Sequence, residues 1–230
     1  SGRLFLDPGQ TIITADKSWE NYFHIFNNVQ GVKVETFEPF DEKGEINMKS
    51  LGEVLSKVAA AQKKVVLLLN FPHNQTGFMP SRQQCEALGK FIADFCKKSP
   101  AMPFIVLLDD AYEGYIYDDI GLKNSPLPHI FNTLPNFCAV KMDGISKVML
   151  AYGYRVGFIT IFANRLDAGG QFDAEFMKGF RDDINEKIGG FIRGEISQVN
   201  HHGQLLADGL MNEFDLVKKQ QAVTIDMLAG

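Results

Sequence analysis

Lys147, in Asp143-Gly144-Ile145-Ser146-Lys147, and Arg155, in Tyr154-Arg155-Val156-Gly157, are the residues whose types and spacing say most about chemistry. They flank a short, glycine-containing, partly aromatic stretch that follows a predicted strand, Phe137-Cys138-Ala139-Val140-Lys141-Met142. A lysine amine forms Schiff bases with carbonyl compounds, and an arginine guanidinium clamps phosphate through its planar fork. The pair suits an aldehyde cofactor that carries a phosphate. A lysine beside a strand end is more often a solvated charge, so the decision rests on what else converges on it.

Two upstream motifs supply that convergence. An apolar run ends in a polar turn at Leu67-Leu68-Leu69-Asn70-Phe71-Pro72-His73-Asn74-Gln75-Thr76-Gly77-Phe78, and a second ends in two carboxylates and a tyrosine at Phe104-Ile105-Val106-Leu107-Leu108-Asp109-Asp110-Ala111-Tyr112. Continuous apolar runs are strands covered on both faces, and ligands collect at the carboxyl ends of such strands. Asn74, Asp109, Tyr112 and Lys147 therefore converge on one rim of a parallel sheet.

The elements that must carry these residues alternate between strand and helix. Thr11–Thr14, Val32–Phe37, Val65–Leu69, Ile105–Leu108, a strand around Ala139 and Val156–Phe162 read as strands. Ser18–Asn27 reads as a helix with Ser18 as N-cap, Asn47 caps a helix to about Ala61, and Ser81 caps one through Lys98. Phe172–Lys187, Ser197–Met211 and Phe214–Leu228 read as further helices. This order predicts an α/β three-layer sandwich with a mainly parallel sheet. Gly153-Tyr154-Arg155-Val156-Gly157 is no dinucleotide fingerprint, because its glycines lead into a strand.

Taken in order, Ser18-Trp19-Glu20-Asn21-Tyr22, the Asn70–Gly77 turn, Asp109-Asp110-Ala111-Tyr112, Ser146-Lys147, Arg155 and Ile192-Arg193-Gly194-Glu195-Ile196-Ser197 resemble the class I/II aminotransferases of the fold type I pyridoxal-phosphate enzymes. Leu-Asn-Phe-Pro, Asp-Asp-Ala-Tyr and Arg-Val-Gly-Phe-Ile-Thr look like a bacterial branch of that family. The resemblance implies the fold of the pyridoxal-phosphate transferase major domain and pyridoxal 5′-phosphate as cofactor. It implies amino-group exchange between an amino acid and a 2-oxo acid through a Schiff base on Lys147, in a cytoplasmic homodimer. A C–S lyase or a decarboxylase uses the same apparatus, and a truncated, non-catalytic module is a third alternative.

Residue by residue, the resemblance makes Lys147, Asp109 and Tyr112 catalytic. Lys147 moves a proton between substrate and cofactor, which needs a lowered amine pKa of the kind a desolvated, cation-rich pocket supplies. Asp109 pairs with the pyridine nitrogen and keeps the ring an electron sink. The Asp-x-Ala-Tyr spacing selects Asp109, and alternation points Asp110 away. Tyr112 and Asn74 hydrogen-bond the cofactor's phenolic oxygen, although an Asn here also suits a turn. Arg155 binds the phosphate, with Ser146 as an additional candidate contact. Trp19 stacks on the ring or belongs to the core, and His73 lines the ring or faces solvent. Trp19, Asn74 and Arg193 are the substrate-side candidates. Arg193 reaches a side-chain carboxylate across a dimer, or is a surface arginine at a helix start. The chain departs from the family pattern at Gln75, where proline is usual, and at Gly144, where a phosphate-binding hydroxyl is usual.

Composition narrows the class. With 230 residues and a formal net charge of -5, the chain has no basic patch for nucleic acid. No apolar run approaches the roughly 20 residues that span a bilayer, and Ser1-Gly2-Arg3-Leu4-Phe5-Leu6-Asp7-Pro8 does not read as a signal peptide. Cys85, Cys96 and Cys138 lack metal-ligand spacing and suit buried thiols in a reducing cytosol. No metal is expected. Residues 1–230 read as most of the cofactor-binding large domain, with the upstream phosphate loop and the small domain outside the chain.

Overall fold

The computed structural model describes residues 2–163 and 173–229. A short helix α1 (Gly2–Phe5) precedes strand β1 (Thr11–Ala15), helix α2 (Glu20–Phe23), β2 (Lys33–Phe37) and α3 (Met48–Ala61). Then come β3 (Val65–Asn70), α4 (Arg82–Lys98), β4 (Phe104–Asp109), α5 (Leu127–Ile130), β5 (Phe137–Gly144), α6 (Ile145–Val148) and β6 (Gly157–Ala163). Helices α7 (Ala174–Glu195), α8 (His201–Asn212) and α9 (Phe214–Ala229) complete the described chain.

The strands form one sheet in the order β2-β1-β3-β4-β5-β6. All pairings are parallel except β5 with β6. Strands β3 and β4 lie in the middle and are apolar on both faces, as their unbroken Val, Leu and Ile content requires. Leu67, Leu69, Val106 and Leu108 pack on one side with Leu51 and Leu55 of α3 and Leu88 and Ile92 of α4. Val66, Leu68, Ile105 and Leu107 pack on the other with Leu6, Tyr22 and Phe26. The α/β sandwich expected from the alternation is what forms.

Capping sets the helix starts with two corrections. The Asn47 side chain accepts from Ser50 N–H, and Ser81 with Gln84 makes a complete capping box. Ser18 is not a cap: it is buried, and α2 begins one residue later with Trp19 at the cap position and no side-chain bond there. From His24 to Val29 the same segment winds as a π-helix, a widened turn often found near functional sites. The helix expected to end at Lys187 runs on to Glu195, because the apolar spacing of Phe180, Ile184, Ile188 and Phe191 continues through Gly189-Gly190. Arg193 thus lies in a last helical turn, not at a helix start. The next helix starts at His201, capped by Asn200 rather than opened at Ser197; the expected start at Phe172 lies outside the described residues.

Helix α8 fixes the approach to β6. A Cβ on Gly203 would fall 2.6 Å from Val156 Cγ2 and 3.1 Å from the Tyr154 carbonyl, so a larger residue would push Val156 and the Tyr154 backbone aside. Asn200 Nδ2 donates to the same Tyr154 carbonyl at 2.9 Å.

Behind the carboxyl ends of β4 and β5, Lys141 is the cation at the centre of three carboxylates. Its ammonium bonds Glu113 at 2.9 Å, pairs with Asp110 at 3.4 Å and contacts Asp143 more closely still. Asp110 is fully buried, and burial raises its carboxyl to about 7 against the opposing pull of the Ser125 hydroxyl and Lys141. A carboxyl whose pKa rises on folding favours the protonated fold, so its contribution is fully present below the unfolded value of 3.8 and is lost as pH rises through about 7. Urea unfolding of the Asp110→Asn chain is expected to show that difference. Between pH 5.5 and 8.5 the unsubstituted protein should lose roughly 1–2 kcal/mol more stability than the variant. Ser81→Ala, which removes the capping box of α4, should cost about 1 kcal/mol at either pH in the same assay.

Candidate active site

Chain direction turns the sheet into a site. Strand β1 is followed by β2 on one side, and the chain then returns to place β3 on the other. That reversal opens a crevice beyond the carboxyl ends of β1 and β3, the place where open α/β sheets bind ligands. A cavity of about 210 Å³ lies there, lined by Trp19, Tyr22, Asn70, Asn74, Asp109, Ala111, Tyr112 and Lys147. Five separately predicted residues, Trp19, Asn74, Asp109, Tyr112 and Lys147, thus meet in one space. Ser146, Arg155 and Arg193 do not line it.

Asp109 is the last residue of β4 and is level with Asn70 of β3 and Met142 of β5. Alternation sends it to the same face as Leu107, toward α2. Its Oδ2 accepts from the Tyr22 hydroxyl at 2.5 Å, and its Oδ1 accepts from Ala111 N–H at 3.2 Å. Burial raises the Asp109 carboxyl, while the Tyr22 and Ala111 bonds oppose the rise. Burial, and then the Asp109 charge, hold the Tyr22 phenol far above its ordinary range, so Tyr22 is a neutral donor. Asp110, one residue on, turns to Lys141 as alternation requires.

The Asn70–Gly77 turn presents Asn74. Asn70 is buried; its Nδ2 donates to the Asp109 carbonyl at 2.9 Å and its Oδ1 accepts from Asn74 N–H at 2.8 Å. Asn74 Nδ2 then donates to the Tyr112 hydroxyl at 3.1 Å. His73 neither lines the ring site nor faces solvent. It is buried in a small neighbouring apolar cavity, with Nδ1 2.8 Å from Thr76 Oγ1, and burial lowers its pKa. Two backbone bonds, His73 N–H to Phe78 and Gly77 N–H to His73, close the turn around Gln75 without a proline.

Lys147 sits in the four-residue helix α6, with its ammonium 5.3 Å from the centre of the Tyr112 ring. Among the described residues the desolvated, cation-rich surroundings expected for it do not form. Its side chain is exposed, and no second cation stands among the described residues lining the cavity. Arg155 does not line the cavity, and its backbone adopts left-handed φ 52°, ψ 44°, unusual for a non-glycine. Its guanidinium donates to the Tyr152 carbonyl at 3.2 Å and lies 5.8 Å from that ring. At Gly144 an added Cβ would meet its nearest neighbours at 3.8 Å and beyond, so packing does not exclude a hydroxyl-bearing residue there. Trp19 is 41% exposed and stands edge-on to Tyr22 at 5.6 Å.

Two contributors escaped the sequence reading: Tyr22 and Asn70. Tyr22 lies three positions after Trp19, a spacing that shares a helix face, and that was its one legible signal. Its partner Asp109 is 87 positions away. Asn70 ends the β3 run and reads as a turn residue until the register with Asp109 is known.

The family model "Aminotransferase class I and II" matches residues 2–221. The chain is 29% identical over 198 residues to an L-tyrosine:2-oxoglutarate aminotransferase of Aspergillus ustus, covering 84% of this chain and 34% of that protein. It is 30% identical over 167 residues to the chloroplastic aspartate aminotransferase 3 of Arabidopsis thaliana, covering 72% of this chain and 34% of that one. The chain thus spans about a third of the length of these curated relatives. In fold it is similar to the crystal structure of an aminotransferase from Anaerococcus prevotii, with a TM-score of 0.80 at 20% identity over 99% of this chain and 53% of that one. A match that runs through every strand and the whole cavity lining places this chain in the class I and II aminotransferase family.

Proposed function

We propose that the protein to which this chain belongs is a pyridoxal 5′-phosphate-dependent aminotransferase that exchanges an amino group between an amino acid and a 2-oxo acid. We read residues 1–230 as most of its cofactor-binding large domain. The observation that carries the reading is the meeting of Lys147, Asp109, Asn74 and Tyr112 around one cavity. Class I and II aminotransferases use pyridoxal phosphate, and this donor set fits it: an amine, a carboxylate held by a neutral phenol, and a paired amide and phenol. When bound, that group supplies an aldehyde for amine capture and an electron-withdrawing ring.

Each residue then has a distinct task. Lys147 Nζ is the amine that would hold the aldehyde, and it would serve as the base toward the substrate α-carbon. Asp109 holds a proton on the pyridine nitrogen, and Tyr22 and Ala111 N–H keep its two oxygens oriented for that task. Asn74 and Tyr112 act as a pair on the phenolic oxygen. Trp19 covers the ring. Arg155 is the phosphate cation by type and by its place before β6; its guanidinium would leave the Tyr152 carbonyl to take that role, and Ser146 is an additional candidate contact. Arg193 binds a substrate carboxylate across a homodimer. Exposed Phe158, Ile159 and Phe162 on β6 offer apolar surface for association. No described helix is long and apolar enough to cross a membrane. Burial pushes all three thiols up to about 12, which suits inert cysteines of a cytosolic protein.

The deciding test is an absorbance spectrum after addition of pyridoxal phosphate and dialysis. A visible band is expected that is lost in Lys147→Ala and bleaches with the right amino acid as the amine form of the cofactor appears. A band that survives Lys147→Ala would overturn the reading. Tyr22→Phe leaves Asp109 Oδ2 without its donor in a half-buried site. Unfolding free energy at pH 7 should fall by about 2 kcal/mol. Asp109 has a raised folded pKa that the Tyr22 bond restrains; without the bond it rises further. The deficit of the variant should therefore shrink as pH falls and Asp109 takes up its proton. A deficit independent of pH would show that the bond does not act on Asp109.

A further inference from the structure

Helix α6 is too short to hold Lys147 by its own hydrogen bonds, since one helical turn gains little against the cost of nucleation. Leu150 N–H, just beyond the helix, donates to the Lys147 carbonyl at 3.2 Å, and a second, longer-range contact adds to that hold. The Lys147 carbonyl, at the end of that turn, accepts from the Tyr115 hydroxyl at 2.9 Å. The Tyr115 ring also packs edge-on against Tyr112, with centroids 6.4 Å apart at 85°, and the Lys147 ammonium rests over that same Tyr112 ring. One side chain therefore touches the backbone of Lys147 and the platform under its amine.

Tyr115 is delivered from a firmly held turn. Its N–H bonds the Tyr112 carbonyl at 3.0 Å and Glu113 N–H bonds Asp110 at 3.0 Å. Glu113 is tied to Lys141, to Ser125 N–H, and through its carbonyl to Gln221 of α9 at 2.8 Å.

We propose that Tyr115 is a positioning residue for Lys147: its hydroxyl tethers the α6 backbone to the Asp110–Tyr115 turn and keeps the amine over Tyr112 at the cavity. The proposal rests on the reading of Lys147 as the cofactor-binding lysine, and its test separates the two. Lysine labelling by trinitrobenzenesulfonate without cofactor, followed residue by residue by peptide mass spectrometry, compares the unsubstituted chain with Tyr115→Phe and Tyr115→Leu. Tyr115→Phe keeps the ring and removes only the tether, so thermal unfolding should stay close to that of the unsubstituted chain. Lys147 should then label about threefold faster as its amine leaves the Tyr112 face. Lys218, whose ammonium lies 5.3 Å from the Phe214 ring, should label at an unchanged rate. Equal Lys147 rates in Tyr115→Phe and the unsubstituted chain overturn the proposal. So does a change confined to Tyr115→Leu, which would assign the effect to the ring alone. Failure of the functional reading shows separately, as a visible pyridoxal phosphate band that persists in Lys147→Ala.

Discussion

The structure around the cavity depends on keeping one carboxylate oriented at the end of a buried strand. Asp109 stands where the apolar β4 run stops, with the sheet on one side and α2 on the other. A carboxylate there is costly unless its oxygens are bonded. Tyr22 from the segment after β1 and the N–H of Ala111 satisfy them. The Asp109 carbonyl in turn accepts from Asn70 Nδ2, which orients Asn70 to hold the Asn74 backbone. The chain of bonds from Tyr22 through Asp109 and Asn70 to Asn74 and Tyr112 links three strand ends.

Asp109 and Asp110 show how adjacent residues of one type take different work. Period-two geometry sends them to opposite sides. Asp109 meets a neutral phenol and faces the cavity. Asp110 meets Lys141 and is closed off from solvent. The Lys141 cluster draws together the turn after β4 and the end of β5, the two segments that carry Tyr112, Tyr115 and Lys147.

In the proposed assignment the phosphate side is less complete than the ring side. The Arg155 guanidinium donates to the Tyr152 carbonyl, and α8 packs closely on Tyr154 and Val156. Gly144 offers no hydroxyl. The ring side, by contrast, has its polar partners engaged within the described chain.

Much of this was legible in the sequence, because strand runs and capping residues act locally. The unbroken apolar stretches of β3 and β4 require burial on both faces, Asn47 and Ser81 cap the helices that follow them, and the place of Asn74, Asp109, Tyr112 and Lys147 after strand ends puts them on one rim. Where local signals competed, the reading slipped. Ser18 has cap chemistry but is buried beside β1, and the glycine pair in α7 does not stop a helix whose apolar face continues. Only the tertiary structure decided which side chains complete the site. Tyr22 reaches Asp109, Tyr115 reaches the Lys147 carbonyl, and Arg155 turns back on Tyr152. The first two contacts join residues far apart in sequence, and the third accompanies a left-handed backbone that residue type does not announce. Hydrophobic periodicity records which face is buried. It carries no information about which buried hydroxyl meets which carboxylate, and packing of separate elements settles that.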